Sequence, residues 1–493
     1  MAPRTADDQR GAPRPPHVVL LASPGAGHLI PLAELARRLV DHHGVAASLV
    51  TFADLEHPDA HSAVLSTLPA SVANATLPAV SLDDLPADAG LERMLFEVVH
   101  RSLPHLRQLL RSMSIAALVP DFFCAAALSV AAEIGVPGYI FFPTSLAALS
   151  LMRRAVELHD GAAAGEYHAL PDPLELPGGV SLRAAEFPEG FGDSTALVYG
   201  HLVETGRLYR GAAGFLANTF YELEPAAVED SRKAAEKGTF PPVYPVGPFV
   251  RSSSDDAGEL ACLEWLDRQP AASVVFVSFG SAGMLSVEQT RELAAGLEMS
   301  GHRFLWVVHT PSLNGESFVF PKRVNGEDNR RGHDDDPLAW LPDGFLERTS
   351  GRGLAVAAWA PQVRVLSHPA TAAFVSHCGW NSTLESVAGG VPMIGWPLHA
   401  EQRMNAIVLE ESVGVALRPR AREEDIGGAV VRRVEIAAAV KEVMEGEKGR
   451  GLRRRARELQ QAGCRVWSPE GSSRQALEEV AGKWKAAAAA AHK

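Results

Sequence analysis

A chain of 493 residues is too long for one ordinary hydrophobic core and reads as two domains. Its 46 Lys and Arg against 59 Asp and Glu leave a formal net charge of −13, which excludes a surface built to neutralise nucleic-acid phosphates. Cys124, Cys262, Cys378 and Cys464 lie far apart without CxxC or zinc-like spacing, so free thiols in a reducing, cytoplasmic compartment are expected.

Residues 1–16, "MAPRTADDQRGAPRPP", are polar and Pro-rich, lack the apolar core of a signal peptide and read as a disordered lead-in. "HVVLLA" at 17–22 is a strand, followed by a Gly/Pro turn and the helical "LAELARRLVDHH". "VAASLVTF" is a second strand, "IAALVP" a third that ends at Asp121, "CAAALSVAAEIG" a helix and "YIFFPT" another strand. Apolar strands without alternation, separated by helices, mean a parallel sheet buried on both faces. The longest apolar stretch, about 115–152, is broken by Asp121, Glu133 and prolines, so no membrane insertion is expected.

The texture changes in "PPVYPVGPFVRSSSDDAGE". A first domain is therefore assigned to 17–250, a linker to 251–262 and a second domain to 263–493. Strands and helices then alternate again: "SVVFVSFG", "VEQTRELAAGLEMSG", "RFLWVV", "LAVAAWA", "TAAFVSH" and "VPMIGW". The fold class is α/β, two doubly wound parallel sheets facing one another. The polar stretch 309–337 reads as a surface loop whose "HDDD" at 333–336 is solvated rather than a metal site. "RGLRRRARELQ" is the one dense basic run and reads as the solvated face of a helix. The last helix, ending in "KWKAAAAAAHK", carries no chemistry and is expected to pack back on the first domain; a monomer is expected.

Ligands of open parallel sheets bind beyond the carboxyl ends of the strands. There "TAAFVSH" ends at His377, and Ser382 with Glu385 has the S-x-x-E spacing of a capping box, placing a helix start near Ser382. The positive end of that helix suits a phosphate. Ser281 follows the turn "SFGS", and Trp359 and Gln362 follow "LAVAAWA". Singly, Trp359 and Trp380 also fit core aromatics, His377 a satisfied strand-end histidine and Glu385 a cap; together on one rim they suit a nucleotide diphosphate. In the first half "SPGAGHLIP" departs from the dinucleotide fingerprint because Ile30 stands where the third glycine belongs. His28, at the start of the first helix, is by itself equally an ordinary helix N-terminal histidine without a role; with Asp121 on the same rim it would form an oriented general base, worth roughly 10²–10⁴ in rate. No G-x-S-x-G elbow supplies a nucleophile. Phe122, Phe123 and Phe142 fit core aromatics and the apolar walls of a pocket equally well.

The 44 residues from Trp359 to Gln402, opening on "WAPQ" and running through "HCGWNSTLES", closely resemble the signature of plant family 1 UDP-sugar glycosyltransferases. "SPGAGHLIPL", "PPVYPVGP", "WLDRQPAASVVFVSFGS" and "LPDGFLERT" extend the resemblance over nearly the whole chain, nearest the branch that glucosylates hydroquinone and monolignols. The resemblance implies a GT-B fold and an inverting transfer of glucose from UDP-glucose to a small phenol, giving a β-O-glucoside without metal or other cofactor. It implies that Trp359 stacks on uracil, Ala360 pairs its edge, and Gln362 and Glu385 hold the ribose. Ser281, His377, Asn381 and Ser382 would hold the diphosphate, and Trp380, Glu401 and Gln402 would face the sugar. His28 matches the base, Asp121 its partner and Glu92 an acceptor-side acid. His399 departs from the Tyr or Phe commoner at its position. The competing expectations are a non-catalytic UDP-sugar or phenol-binding protein, another UDP-sugar donor, or a flavonoid or hormone acceptor.

Overall fold

Strands apolar on both faces persist only where helices cover both sides of the sheet, and the inner strands of this chain are of that kind. The computed structural model describes residues 15–53, 62, 64–86, 89–163, 165–251, 260–313, 336–357, 359–419 and 430–491. Most of the lead-in 1–16, most of the linker 251–262 and residues 333–335 of the acidic run lie outside the described residues.

In the first half, β1 (His17–Leu21), β2 (Ala46–Phe52), β3 (Val72–Leu77) and β4 (Ala117–Pro120) form a parallel sheet in the order β3-β2-β1-β4. Beyond β5 (Tyr139–Phe142) come an antiparallel hairpin of β6 (Leu174–Leu176) and β7 (Val180–Leu182), then β8 (Gly214–Ala217) and β9 (Val243–Pro245). Strands β5-β8-β9 form a second parallel sheet. Single parallel bridges, Leu118 to Gly138 and Asp121 to Phe141, join it to β4, so the two sheets run on as one surface.

The second half holds β10 (Val274–Ser278), β11 (Arg303–Val308), β12 (Gly353–Ala357), β13 (Thr371–Ser376), β14 (Met393–Gly395) and β15 (Ala416–Leu417). They form one parallel sheet in the order β12-β11-β10-β13-β14-β15, with β10 and β13 buried along their whole length. The order in which strands are added reverses between β1 and β4 and between β10 and β13, the places where such sheets open a crevice.

The sequence correctly marks the inner strands but not β3, whose "VANATL" exposes its middle as an edge strand does, nor the short β8. The stretch expected as one helix from Cys124 starts instead as a 3₁₀ turn, Phe122–Ala127, continued by an α-helix over Leu128–Glu133. The final helix, Ser472–Ala491, lies against the first half. Leu477, Val480 and Trp484 enter its core, Trp484 meets Tyr139 edge-on at 5.5 Å, and Glu478 Oε2 sits 2.5 Å from Nδ1 of His43. Trp484 is fully buried, so Trp484→Ala should cost about 3–5 kcal/mol of stability, read from denaturant unfolding. A loss below about 1 kcal/mol would show that this helix does not carry core packing.

Candidate active site

The carboxyl ends of β1 and β4 are laced together by sheet register. Leu21 pairs with Pro120, and the N–H of Asp121 donates to the carbonyl of Leu21 at 2.8 Å. After β1 the chain turns at Gly25, whose φ of 114° no L side chain adopts readily, and enters the helix Ala26–His43. His28 sits in the first turn, its N–H on the Gly25 carbonyl at 2.9 Å. Its Nδ1 lies 3.2 Å from Oδ2 of Asp121, a carboxylate with no exposed surface. Oδ1 of Asp121 accepts from the Ser23 hydroxyl and from the Phe123 N–H at 3.3 Å. Three donors thus fix the carboxylate, and its bond to Nδ1 assigns the proton there and the lone pair to Nε2.

The His28 ring stacks on Phe122 at 5.6 Å and meets Phe123 at the same distance, and Phe96 backs Phe123 edge-on. Phe142, expected as a wall, is fully buried and backs Phe122 instead. Phe96 was missed; one helical turn beyond Glu92 in Leu91–Arg111, it was legible only once that helix was drawn. Glu92 lies in the first turn of this helix, near enough to Glu189 to act on it. Burial first and the Glu92 charge second raise the Glu189 carboxyl above its ordinary range.

On the second half, Gly280 and Gly379 clamp His377. A Cβ at either would lie 2.8 or 2.4 Å from its ring, so only glycine leaves room. Burial, then His399 and His309, lower His377 to about 3, which keeps the imidazole neutral, and its buried Nδ1 has no hydrogen-bond partner among the described residues. Ser281 is exposed beside this turn.

The expected capping box is corrected. The helix is Trp380–Gly389, with Gly379 as an N-cap that makes no side-chain bond. Ser382 and Glu385 lie inside the helix, held by the amide of Gln362, whose Nε2 donates to Ser382 Oγ at 2.8 Å and to Glu385 Oε2 at 2.7 Å. Among the described residues no N-cap side chain satisfies the first N–H groups of the helix, which carry the positive end of its dipole. Burial raises Glu385 to about 7, against the opposing pull of Gln362 and Arg251. Trp359 is 55% exposed, which rules out the core alternative for it, and Ala360 is buried behind it. For Trp380 the core alternative holds: the ring is 3% exposed and its N–H donates to the Asn218 carbonyl at 2.8 Å. As the first residue of the helix, Trp380 still offers its main-chain N–H at the helix start.

Oε1 of Gln402 accepts from the N–H groups of Leu398 and His399 at 2.9 and 3.1 Å, which leaves its amide nitrogen beside the His399 ring at 3.3 Å. Burial lowers His399 to about 4. Glu401 Oε1 accepts from Thr144 at 3.0 Å. Asn405, which the sequence did not single out, is buried and joins Ser145 Oγ at 2.9 Å to the Cys378 carbonyl at 3.1 Å. Asn381 Nδ2 donates across the halves to the carbonyl of Gly27, next to His28, at 2.8 Å. Among the described residues no group of three or more His, Cys, Asp or Glu is placed to hold a metal ion, and no helix is long and apolar enough to cross a membrane.

Two parallel sheets whose switch points meet at one crevice, an oriented His on one side and an uncapped helix N-terminus on the other, define a GT-B glycosyltransferase. Residues 241–449 match the profile of the UDP-glucoronosyl and UDP-glucosyl transferase family. The chain is 44% identical over 479 residues to UDP-glycosyltransferase 72B1 of Arabidopsis thaliana, covering 96% of each. It is 45% identical over 474 residues to hydroquinone glucosyltransferase of Rauvolfia serpentina, covering 95% of this chain and 98% of that one. The structure of Phytolacca americana UGT2 complexed with UDP-2fluoro-glucose and pterostilbene aligns with a TM-score of 0.83 at 41% identity, over 95% of this chain and 100% of that one. The chain belongs to the UDP-glucoronosyl and UDP-glucosyl transferase family, within its plant family 1 members.

Proposed function

We propose that this enzyme transfers glucose from UDP-glucose to a hydroxyl of a small phenol by a single inverting displacement, giving a β-O-glucoside in the cytoplasm, and that it acts as a monomer. The observation that carries this is the Asp121–His28 pair standing across the Asn381–Gly27 bond from the open helix start at Trp380. Nε2 of His28 takes the acceptor proton as its oxygen attacks the anomeric carbon. The bond from that carbon to the diphosphate breaks on the opposite face, and UDP leaves toward the second half. Phe122 and Phe123 give the acceptor a flat apolar seat beside the base, with Glu92 at its edge. That the relatives include a hydroquinone glucosyltransferase and a neighbour solved with pterostilbene supports a phenolic acceptor.

In this proposal residues 17–250 hold the acceptor, 251–262 link, and 263–493 hold the donor. Trp359 stacks on the uracil and the Ala360 main chain meets its edge, while Gln362 and Glu385 take the ribose hydroxyls. Ser281, His377, Asn381 and Ser382, with the helix N-terminus, meet the diphosphate as it gains charge, so the step needs no metal or other cofactor. Glu401, the Gln402 amide and the Trp380 main-chain N–H face the sugar.

His28→Ala should lower turnover of UDP-glucose with hydroquinone by roughly 10²–10⁴, with UDP affinity within about twofold of wild type. Unchanged turnover would remove His28 as the base. Because Glu385 ionises through about pH 7 and ribose hydroxyls donate to its ionised form, UDP binding should strengthen as pH rises through that value. Between pH 6 and 8 the wild type should gain about tenfold more affinity than Glu385→Gln, since ionisation of UDP itself is common to both. Parallel profiles in calorimetry would refute the ribose contact.

A further inference from the structure

We infer that the helix Glu447–Arg465 carries a second ligand site, one for a phosphate-bearing anion, separate from the sugar-transfer crevice. Arg450, Arg453, Arg454 and Arg457, with Glu458 and Gln461, line a cavity of about 370 Å³. The four arginines stand at i, i+3, i+4 and i+7, on one face, while Ala456, Leu459 and Ala462 are buried in the core.

The guanidinium of Arg453 is half-buried and anchored, donating to the carbonyls of Val443 and Met444 at the end of the preceding helix, Arg433–Glu445. Arg450 reaches the neighbouring Glu445 carbonyl at 3.4 Å. Arg454 and Arg457 are exposed and make no hydrogen bond or ion pair among the described residues. The lining's one acid, Glu458, is 3.5 Å from Arg455 Nη1, which draws its charge away from the four arginines. Several arginines elsewhere are paired with carboxylates, as in Arg101 with Asp84, Arg107 with Glu133, Arg348 with Glu298 and Arg433 with Glu292.

Like charges gathered round a cavity repel. Burial, and then the charges of Arg457 and Arg450, lower Arg453 from its ordinary value. An anion seated among them relieves that repulsion and completes the hydrogen bonds of two unused guanidinium forks, whose planar geometry matches phosphate oxygens. In a chain of net charge −13 this concentration of positive charge runs against the overall field and selects for a polyanion at close range. The phosphate group can belong to a free phosphate or to the headgroup of an anionic lipid.

The test uses the full chain saturated with UDP, so that the donor site is filled. It is titrated with inorganic pyrophosphate by calorimetry at low salt, and sedimented with vesicles of phosphatidylcholine alone or containing phosphatidic acid. A saturable interaction with at least one probe is expected, weakened about tenfold or more in Arg454→Ser/Arg457→Ser and by added salt. Glucosyl transfer and thermal unfolding of that variant should match wild type. Pyrophosphate binding without vesicle recruitment assigns the site to free phosphates, whereas recruitment by phosphatidic acid that the variant loses assigns it to a lipid surface. Absence of saturable binding to either probe, or equal binding by the variant, overturns the inference.

Discussion

The bond from Asp121 to Nδ1 of His28 is the constraint around which the first half is arranged. It exists because β1 and β4 are parallel neighbours in a register that pairs Leu21 with Pro120, so the next residue after each strand emerges at the same edge. A shift of one residue would turn Asp121 to the other face of the sheet and leave a carboxylate buried without its donors. Ser23 and the Phe123 N–H occupy the other oxygen, so the acid has one direction left in which to point. The bridge from Asp121 to Phe141 ties the same position to β5 and places Phe122 beside His28, with Phe142 packed behind it.

The second arrangement is between the halves. Trp380 to Asn218, Asn381 to Gly27, Ser145 to Asn405 and Thr144 to Glu401 are hydrogen bonds that cross from one sheet system to the other. Buried donors and acceptors are costly when unpaired, so these bonds favour one relative placement of the halves over its neighbours. That placement sets the distance between His28 and the start of the helix Trp380–Gly389. The glycines at 280 and 379 act on a smaller scale: by admitting the His377 ring they bring a neutral imidazole to the mouth of that helix.

Much of this was legible in the residues. Unbroken apolar runs mark β1, β2, β10, β11 and β13, and the rule that sites lie beyond strand ends leads to His28, Asp121, Ser281 and His377 without any relative in view. What escaped has physical causes. β3 exposes its middle because it is an edge, and β8 is too short to show a period. Asn405 looks like an ordinary helix residue, and its partners Ser145 and Cys378 are distant in the chain. Ser382 and Glu385 have the spacing of a capping box, but a spacing does not reveal that Gln362, on another helix, competes for both side chains. The inward turn of Trp380 depends on Asn218, a contact between halves that no local pattern encodes.

The central claim is that base and leaving group act from opposite walls of one crevice, and the stereochemistry of the product tests it most directly. UDP-α-glucose and hydroquinone would be incubated with the enzyme and the anomeric configuration of the isolated glucoside read by proton NMR. Attack from the His28 side with departure toward the Trp380 helix predicts the β-anomer. An α-glucoside would mean that the acceptor enters on the same face as UDP leaves, and would contradict the account.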